Sequence, residues 1–348
     1  MTGATGLLGN NLVRELVGDG VKVKGLVRSM DKARRQFADL PQVELVPGDM
    51  SDVAGFAETL QGCDTLFHTA AFFRDGYKGG SHSAQFVQTN VEGTRALLEA
   101  AYAMGVRRMV QTSSIAVLDG PRGGTIDETM VRETAKADDY YRSKILADRE
   151  VQRFLDAHPD FFAVMVLPGW MHGPGDLGPT SAGQTVTEFL HGRIPGIPPG
   201  SVSVVDARDV ARAQIAASIK GRRGERYLAA GRHMTMAEVF AMLETVSGVA
   251  SPRRAMPLGL LWVLAGVSET ISRITRKPAL MSWATVRLMA QEADRTRFDH
   301  RKTKRELGIA FRPVEETFAA EIEWYRANGW LDGVALESRT YTPTVHAA

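Results

Sequence analysis

Short apolar runs alternate with longer amphipathic segments over the first two-thirds of the chain, and this alternation restricts the fold more than any other feature. Runs with the length and β-branched content of buried strands lie at 21–27, 43–46, 65–69, 109–112 and 163–167. Segments with apolar residues at helical spacing lie between them, at 7–17, 53–60, 85–104 and 140–157. Such alternation produces right-handed crossovers. The sequence therefore predicts an α/β fold with a doubly wound parallel sheet.

A glycine-rich turn stands at the start of the chain. Residues 2–9 read TGATGLLG, and the turn leads into the first predicted helix. The first glycine permits a tight turn, the second lets backbone N–H groups approach a pyrophosphate, and the third lets helix and strand pack closely. Glycine-rich turns are also common without a cofactor. We expect this one to hold dinucleotide phosphates at the helix N-terminus, through Gly3, Gly6, Leu7, Leu8 and Gly9.

The residue at the end of the second strand distinguishes NADP from NAD. An acidic side chain about 20 residues after the turn binds the ribose 2′-hydroxyl, whereas an arginine accommodates a 2′-phosphate. This chain has Arg28 there, followed by Lys32, Arg34 and Arg35, and it has no carboxylate at the strand end. A helix that begins with solvated basic residues would show the same sequence pattern without binding a phosphate. The position of Arg28 favours NADP(H), with NAD as the alternative.

The strand that should lead into the glycine turn is missing apart from Met1. In a doubly wound sheet this first strand is central, with neighbours on both sides. Either the true start lies upstream, or the sheet has a gap in its middle. The first interpretation is our expectation, so the predicted sheet has a truncated first strand.

The local amino-acid composition changes after Pro168. Glycine and proline recur through residues 169–200, which predicts an ordered loop region rather than regular structure. A further strand, helix and strand are predicted at 202–205, 208–219 and 226–229, and helices at 235–247, 258–274 and 313–328. We assign 1–168 and 201–230 to a Rossmann-type NAD(P)-binding domain, 169–200 and 231–335 to a smaller, mostly helical substrate lobe, and 336–348 to a tail.

Composition excludes several classes of protein. Lys and Arg number 42 against 40 Asp and Glu, a net charge of +2, so the charge balance predicts no nucleic-acid partner. Cys63 is the single cysteine of the sequence, which excludes an intrachain disulfide and fits a reducing compartment. No metal-binding motif is present, and we expect no metal. The apolar stretch 255–268 is too short to span a membrane, and no signal peptide is visible. A cytoplasmic protein is therefore predicted.

Two side chains suited to proton transfer lie one helical turn apart. Tyr140 and Lys144 form a Tyr-x-x-x-Lys pattern, and this spacing puts both on one face of a helix. A phenol titrates near about pH 10, and a neighbouring ammonium lowers its pKa. Ser114 follows the strand 109–112, at the sheet edge where ligands bind. A surface Tyr/Lys pair or a turn-forming serine would give the same sequence pattern. The neighbouring Tyr141 is a rival candidate, but it lacks a lysine four residues on. We predict that Ser114 holds a carbonyl while Tyr140 transfers the proton.

Together these ordered motifs resemble those of the extended short-chain dehydrogenases/reductases, the NAD-dependent epimerase/dehydratase superfamily. The resemblance covers nearly the whole chain. Besides the glycine turn and the residues Ser114, Tyr140 and Lys144, the similar segments are GDM at 48–50, HTAA at 68–71, NVEGT at 90–94, PGWMHGP at 168–174 and VDARDVA at 205–211.

The resemblance also implies residue roles in binding the cofactor. Asp49, with Met50 beside it, corresponds to the position that meets the adenine. Thr69 and Ala70 correspond to the strand end that lines the cofactor, and Pro168 to the element beside the nicotinamide. Tyr140 and Lys144 would contact the cofactor as well as the substrate, because the lysine of the family binds the ribose hydroxyls.

Within the family, the subgroup of dihydroflavonol 4-reductases and 3β-hydroxysteroid dehydrogenases is most similar, on LVRS at 26–29, TSSIAVL at 112–118 and KRELG at 304–308. Leu167 stands where the family usually has arginine. The resemblance implies hydride transfer between NADP(H) and a ketone, an aldehyde or a secondary alcohol, with Lys144 lowering the pKa of Tyr140. The expected partner is a small carbonyl or alcohol, and the expected state is a monomer or homodimer.

Two rival functions stay open. A sugar-nucleotide epimerase or dehydratase would hold NAD tightly and read its 2′-hydroxyl with an acidic residue, which this chain lacks. A non-catalytic nucleotide-binding protein of the same fold generally loses the Tyr or the Lys, and both are present. We interpret 258–274 as a core helix of the substrate lobe, with membrane-surface association as the minor alternative. His172 and His191 are interpreted as solvated loop histidines rather than substrate contacts.

Overall fold

A computed structural model describes residues 1–73, 82–275 and 283–334. Its strands are β1 Lys24–Val27, β2 Glu44–Pro47, β3 Thr65–His68, β4 Arg108–Thr112, β5 Thr125–Ile126, β6 Phe162–Pro168, β7 Trp170–His172, β8 Ser201–Asp206, β9 Arg226–Ala229, β10 Arg232–Thr235 and β11 Arg297–Phe298. Its α-helices are α1 Leu7–Gly18, α2 Met30–Gln36, α3 Ser83–Phe86, α4 Gly93–Ala103, α5 Asp139–Ala157, α6 Ser181–Leu190, α7 Ala207–Lys220, α8 Met236–Ser247, α9 Leu258–Thr275, α10 Trp283–Glu292, α11 Arg301–Leu307 and α12 Val314–Ala327. A π-helical segment, Val87–Glu92, connects α3 to α4.

The main sheet is parallel, and its two halves meet at the first two residues of the chain. Strands β3, β4, β6 and β9 pair in that order, and β1 pairs with β2. Met1 and Thr2 lie between the halves: the N–H of Leu26 donates to the carbonyl of Met1 over 2.8 Å, and the N–H of Thr2 donates to the carbonyl of Phe67 over 3.0 Å. The predicted α/β, Rossmann-type sheet is confirmed, with Met1 and Thr2 in the position of its central strand.

Helices cover both faces of this sheet because successive strand residues point to opposite sides. In β6, Ala163 packs toward α4 and α5, whereas Val164 packs toward α1 and α7. All four of these helices contribute buried apolar stripes. The carboxyl ends of the strands are thereby left as the edge where side chains for chemistry can gather.

A second sheet is interleaved in sequence with the end of the main sheet, because β9 lies between β8 and β10. Strand β8 pairs in parallel with β7 and antiparallel with β10. Helices α6, α8 and α12 pack on it around an apolar cluster that includes Phe189, Phe240 and Phe318. None of the helices within the described ranges is long and apolar enough to cross a membrane.

The main differences from the sequence-based predictions concern the position and type of individual helices and strands. The prediction of a loop over 169–200 is wrong, because β7 and α6 lie within it. The side chain of Thr180 accepts a hydrogen bond from the N–H of Gly183 and caps α6, and Val186, Phe189 and Leu190 bury one helix face. The predicted helix 53–60 is a 3₁₀ helix, Ala54–Leu60, and 85–104 contains the π-helical segment. The tail assigned to 336–348 lies outside the described residues.

Candidate active site

The glycine turn has the tight geometry that its spacing predicts. Gly3 has a φ of +69°, which only glycine adopts readily. A Cβ atom on Gly3 would lie 2.7 Å from the N of Ala70, and one on Gly9 would lie 2.1 Å from the carbonyl oxygen of Gly3. The first and third glycines are therefore required by close approach of the backbone.

The N-terminus of α1 can accept a diphosphate. No side chain caps this end of the helix, and its first turn contains no acidic residue. The N–H of Asn10 bonds to the carbonyl of Gly6, which leaves the N–H groups of Leu7, Leu8 and Gly9 without a partner inside the helix. These donors, together with the partial positive charge of a helix N-terminus, fit the phosphates of a dinucleotide.

Two charged side chains lie near the ends of β1 and β2. Arg28 is exposed directly after β1. Asp49, after β2, accepts hydrogen bonds from the N–H of Ser51 at 2.9 Å and from its hydroxyl at 2.8 Å. These bonds to Ser51 and the nearby charge of Arg28 lower the pKa of Asp49. Met50 is buried in the apolar core. An exposed guanidinium at this strand end can meet a ribose 2′-phosphate.

The end of β3 is tied to the glycine turn by hydrogen bonds to Thr2. The hydroxyl of Thr69 donates to the carbonyl of Thr2 over 2.8 Å. The N–H of Ala70 donates to the hydroxyl of Thr2 over 3.2 Å. His68 is buried between the hydroxyls of Thr2 and Thr94, at 2.7 and 3.1 Å. Burial lowers the pKa of His68 to about 3, so its ring is neutral. Thr69 and Ala70 thus lie beside the predicted phosphate site.

The predicted serine, tyrosine and lysine are brought together at the carboxyl end of β4. The side chain of Asp138 accepts from the N–H of Tyr141 and caps α5, which places Tyr140 in the first helical turn. The side chain of Ser114 hydrogen-bonds the Tyr140 phenol. One turn on, the ammonium of Lys144 is buried and donates to the carbonyl of Thr112 over 3.0 Å.

The pKa of Tyr140 moves in the opposite direction from the expectation. Burial raises it to about 12, although the hydrogen bond with Ser114 lowers it, and the charge of Asp138 adds to the increase. Lys144 is not among the causes, because its ammonium is directed to the carbonyl of Thr112 and burial lowers its own pKa to about 8. At neutral pH Tyr140 is therefore protonated and can act as an acid.

Aromatic side chains surround the Tyr140 ring. The ring centroids of Phe73 and Phe86 lie 4.7 and 5.9 Å from it. They form an apolar wall on one side of the phenol, which raises the cost of charging it. The wall comes from different parts of the chain, the segment after β3 and the helix α3, and the sequence carries no short-range signal for it.

A buried polar cluster lies beside Lys144, and the sequence analysis did not predict it. Asp148 accepts from the hydroxyl of Ser113 at 2.8 Å, and its carboxylate lies 3.7 Å from the guanidinium of Arg226. Its charge favours the ammonium form of Lys144. The available signal was spacing, since Asp148 follows Lys144 by four residues, as Lys144 follows Tyr140.

Pro168 is the last residue of β6 and lies at the carboxyl end of the strand. The segment that follows it corrects the interpretation of one histidine. A Cβ atom on Gly169 would lie 2.5 Å from the carbonyl oxygens of Ser203 and Ala230, so the chain passes closely beside its neighbours there. His172 is fully buried and its Nδ1 lies 2.9 Å from Oε2 of Glu321. It is therefore not a solvated loop residue. His191 directly follows α6 as its C-cap residue, and its Nδ1 lies 2.8 Å from the carbonyl of Thr187.

Comparison with known proteins identifies the family. The profile of the NAD dependent epimerase/dehydratase family matches residues 1–230, which include the glycine turn, Ser114, Tyr140 and Lys144. The chain is 34% identical over 336 residues to sterol demethylase protein B of Methylococcus capsulatus, covering 95% of this chain and 99% of that protein. It is 30% identical over 339 residues to a Synechocystis protein provisionally named dihydroflavonol 4-reductase, covering 95% of each. Over 185 residues, 51% of this chain and 47% of the relative, it is 35% identical to a Mycobacterium tuberculosis 3 beta-hydroxysteroid dehydrogenase/Delta 5→4-isomerase.

Solved structures agree with this result. The crystal structure of gox2253 superimposes with a TM-score of 0.79 at 32% identity, covering 94% of this chain and 98% of that one. Yeast methylglyoxal/isovaleraldehyde reductase Gre2, complexed with NADPH, superimposes with a TM-score of 0.73 at 22% identity over 94% and 98% of the two chains, a similarity of fold alone. The relatives of this chain include oxidoreductases. The predicted family is confirmed: the chain belongs to the NAD-dependent epimerase/dehydratase family of extended short-chain dehydrogenases/reductases.

Proposed function

We propose that the protein is an NADP(H)-dependent oxidoreductase that interconverts a ketone or aldehyde and the corresponding alcohol. The observation that carries this proposal is the contact between Ser114 and Tyr140, with the buried Lys144 one helical turn away. The three side chains stand at the same sheet edge as the glycine turn. A substrate placed there would lie next to a nucleotide held by that turn.

Each of the three residues has a separate role in this proposal. Ser114 hydrogen-bonds the substrate oxygen, and Tyr140 gives or takes the proton at that oxygen. Lys144 holds a buried positive charge one helical turn from Tyr140 and contacts the ribose of the cofactor. The bound nicotinamide supplies or accepts the hydride. Phe73 and Phe86 keep water from one side of the phenol.

The protonation state of Tyr140 favours carbonyl reduction near neutral pH. Reduction consumes a proton at the substrate oxygen, and a phenol with a pKa of about 12 carries that proton throughout the neutral range. Oxidation of the alcohol needs the phenolate, which is scarce until the pH approaches that pKa. We therefore infer that turnover toward the alcohol is faster at pH 7, and that oxidation accelerates as the pH rises.

The cofactor we propose is NADPH, and the support comes from the residues that would hold it. The amides of Leu7, Leu8 and Gly9 fit the diphosphate, and the exposed Arg28 fits a 2′-phosphate.

The experiment that tests this function is a substrate screen followed by single substitutions. NADPH oxidation is followed with a panel of ketones and aldehydes that includes a dihydroflavonol and a 3-ketosteroid, the compound classes suggested by the names of the relatives. Turnover by the unmodified protein that Ser114→Ala and Tyr140→Phe both lower, the latter by at least about 100-fold, supports the proposal. Purified protein that retains NAD through gel filtration and turns over no carbonyl would favour an epimerase or dehydratase instead.

A further inference from the structure

The helix pair α9 and α10 exposes a continuous apolar face. Leu260, Val263, Leu264 and Val267 of α9 are 46, 62, 39 and 51% exposed, and Trp283 of α10 is 53% exposed. On α9 these residues recur at intervals of three and four, so they form one stripe along the helix. A patch of this kind on a soluble protein marks a surface that binds something apolar.

The opposite side of the helix pair is already occupied by its own small core. Leu261 and Ala265 of α9 pack with Val286 of α10 and with Met256, and all four are buried. The rings of Trp262 and Trp283 meet at 5.5 Å where the two helices face each other. The pair is thus complete on its inner side, and the exposed stripe is a second apolar side that this core does not use.

A groove runs along the exposed side between the two helices. Its volume is about 520 Å³, and it is lined by Trp262, Val263, Gly266, Val267, Thr270 and Trp283. Gly266 leaves room beside the indole of Trp283, whose Nε1 a Cβ atom at that position would approach to 3.4 Å. Apolar walls that include two indoles suit the acyl chains and the headgroup region of a lipid layer.

The charge around this face decides between the partners it could bind. In the described segments 253–275 and 283–287, four basic residues stand against one acidic residue. Arg253 and Arg254, just before α9, and Arg287, on α10, are exposed. A second copy docked on the same face by two-fold symmetry would bring these positive charges together, which disfavours association. An anionic surface would be attracted instead.

We propose that the apolar face of α9 and α10 docks on the surface of an anionic lipid bilayer. Leu260, Val263, Leu264 and Val267 enter the boundary between headgroups and acyl chains, Trp283 anchors at the headgroup level, and the arginines contact lipid phosphates. The helices lie on the membrane and do not cross it. This interaction is independent of the redox function proposed above.

The docked face is connected to the active-site helix. The carboxylate of Glu292, at the end of α10, lies 3.0 Å from the guanidinium of Arg132. That guanidinium in turn lies over the ring of Tyr141, 4.9 Å from its centroid, next to Tyr140. The helix that carries part of the apolar face is thus linked through Arg132 to the helix that carries Tyr140.

The test is co-sedimentation of the full-length protein with sucrose-loaded vesicles. One set contains phosphatidylcholine with about one third phosphatidylglycerol, and the other contains phosphatidylcholine alone. We expect binding to the anionic vesicles, and a fall of at least about threefold in the bound-to-free ratio at about 0.5 M NaCl because salt screens the arginines. The double variant Val263→Glu, Val267→Glu should lower that ratio at least about tenfold.

The matched control is Ile219→Glu, which puts the same charge on an apolar side chain that is 73% exposed on α7, outside the face. It should bind like the unmodified protein, and equal melting temperatures show that the variants fold. A second variant, Arg253→Glu with Arg254→Glu, keeps the apolar stripe and should lose binding to anionic vesicles. The proposal is overturned if the unmodified protein does not bind them or if the valine variant binds equally well. It is also overturned if light scattering without lipid shows a dimer that the valine variant dissociates.

Discussion

The side-chain amide of Asn90 donates a hydrogen bond to the hydroxyl of Ser143 over 2.9 Å, and that hydroxyl donates to the backbone carbonyl of Tyr140 over 2.7 Å. The same amide group of Asn90 also binds the N–H of Phe72 at 2.7 Å and its carbonyl at 3.1 Å. One buried side chain in the π-helical segment therefore links the start of α5 to the backbone beside Phe73, whose ring contacts Tyr140. The position of the phenol depends on this link.

We expect Asn90→Ala to lower both stability and turnover. The substitution leaves partly buried backbone groups of Phe72 without their Asn90 partner, which costs up to about 1–3 kcal/mol in the free energy of unfolding. It also loosens Tyr140, so kcat should fall while the affinity for the cofactor changes little. Denaturant unfolding and steady-state kinetics measure the two effects. Asn328→Ala, which removes an exposed hydrogen bond to the carbonyl of Trp324, is the control and should change neither.

Tyr140→Phe should lower kcat by about 10²–10⁴-fold, the usual contribution of general acid–base catalysis. The ring still packs against Phe73 and Phe86, so binding of NADPH should be nearly unchanged. Single-turnover kinetics and fluorescence titration with NADPH separate the two quantities. Tyr141→Phe is the control, because its neighbour four residues on is Ile145 and not a lysine. Normal turnover in Tyr140→Phe with a large loss in Tyr141→Phe would reverse the assignment.

Lys144→Ala should impair both kcat and cofactor binding. The substitution removes a buried positive charge beside the site and, under the proposed role, a contact to the ribose. The Kd for NADPH should therefore rise together with the fall in kcat, unlike the result expected for Tyr140→Phe. A loss of kcat with an unchanged Kd would show that Lys144 acts on the proton transfer alone. Isothermal titration with NADPH and steady-state kinetics give both values.

Arg28→Asp should weaken NADPH binding far more than NADH binding. A charge-assisted hydrogen bond to phosphate contributes about 1.5–3 kcal/mol, so the Kd for NADPH should rise by about 10- to 100-fold. NADH lacks the 2′-phosphate and should lose little. Arg35→Asp, the same charge change at an exposed position of α2, serves as the control. Equal affinity of the unmodified protein for the two cofactors would contradict the assignment.

His68 should make the protein less stable as the pH falls below about 6.5. Its pKa is about 3 in the folded protein, where burial keeps the ring neutral, whereas the unfolded chain binds a proton near the ordinary value of 6.5. Its contribution is therefore fully present above pH 6.5 and is lost progressively toward pH 3, by up to about 1.4 kcal/mol per pH unit. Urea unfolding of His68→Gln between pH 6 and pH 4 should show a shallower pH dependence. Parallel curves would show that other groups control the acid response.

Local patterns in the sequence were enough to predict the main sheet, the glycine turn and the three predicted catalytic positions. The strands followed from short β-branched runs, and β6, predicted at 163–167, extends by one residue at each end to Phe162–Pro168. Tyr140 and Lys144 were recognisable because a fixed helical spacing puts them on one face, and Ser114 because it follows a strand. These inferences need only neighbours in sequence.

Contacts between distant parts of the chain decided what the sequence left undetermined. The partner of His172 is Glu321, 149 residues away, and burial of that pair is why the histidine is not in solvent. The Asn90–Ser143 hydrogen bond spans 53 residues, and no local pattern indicates it. The pKa of Tyr140 rises because folding buries the phenol and directs Lys144 to Thr112, an effect that spacing alone cannot reveal. Residue types and intervals therefore determined which groups take part, while burial and long-range packing determined their partners and charge states.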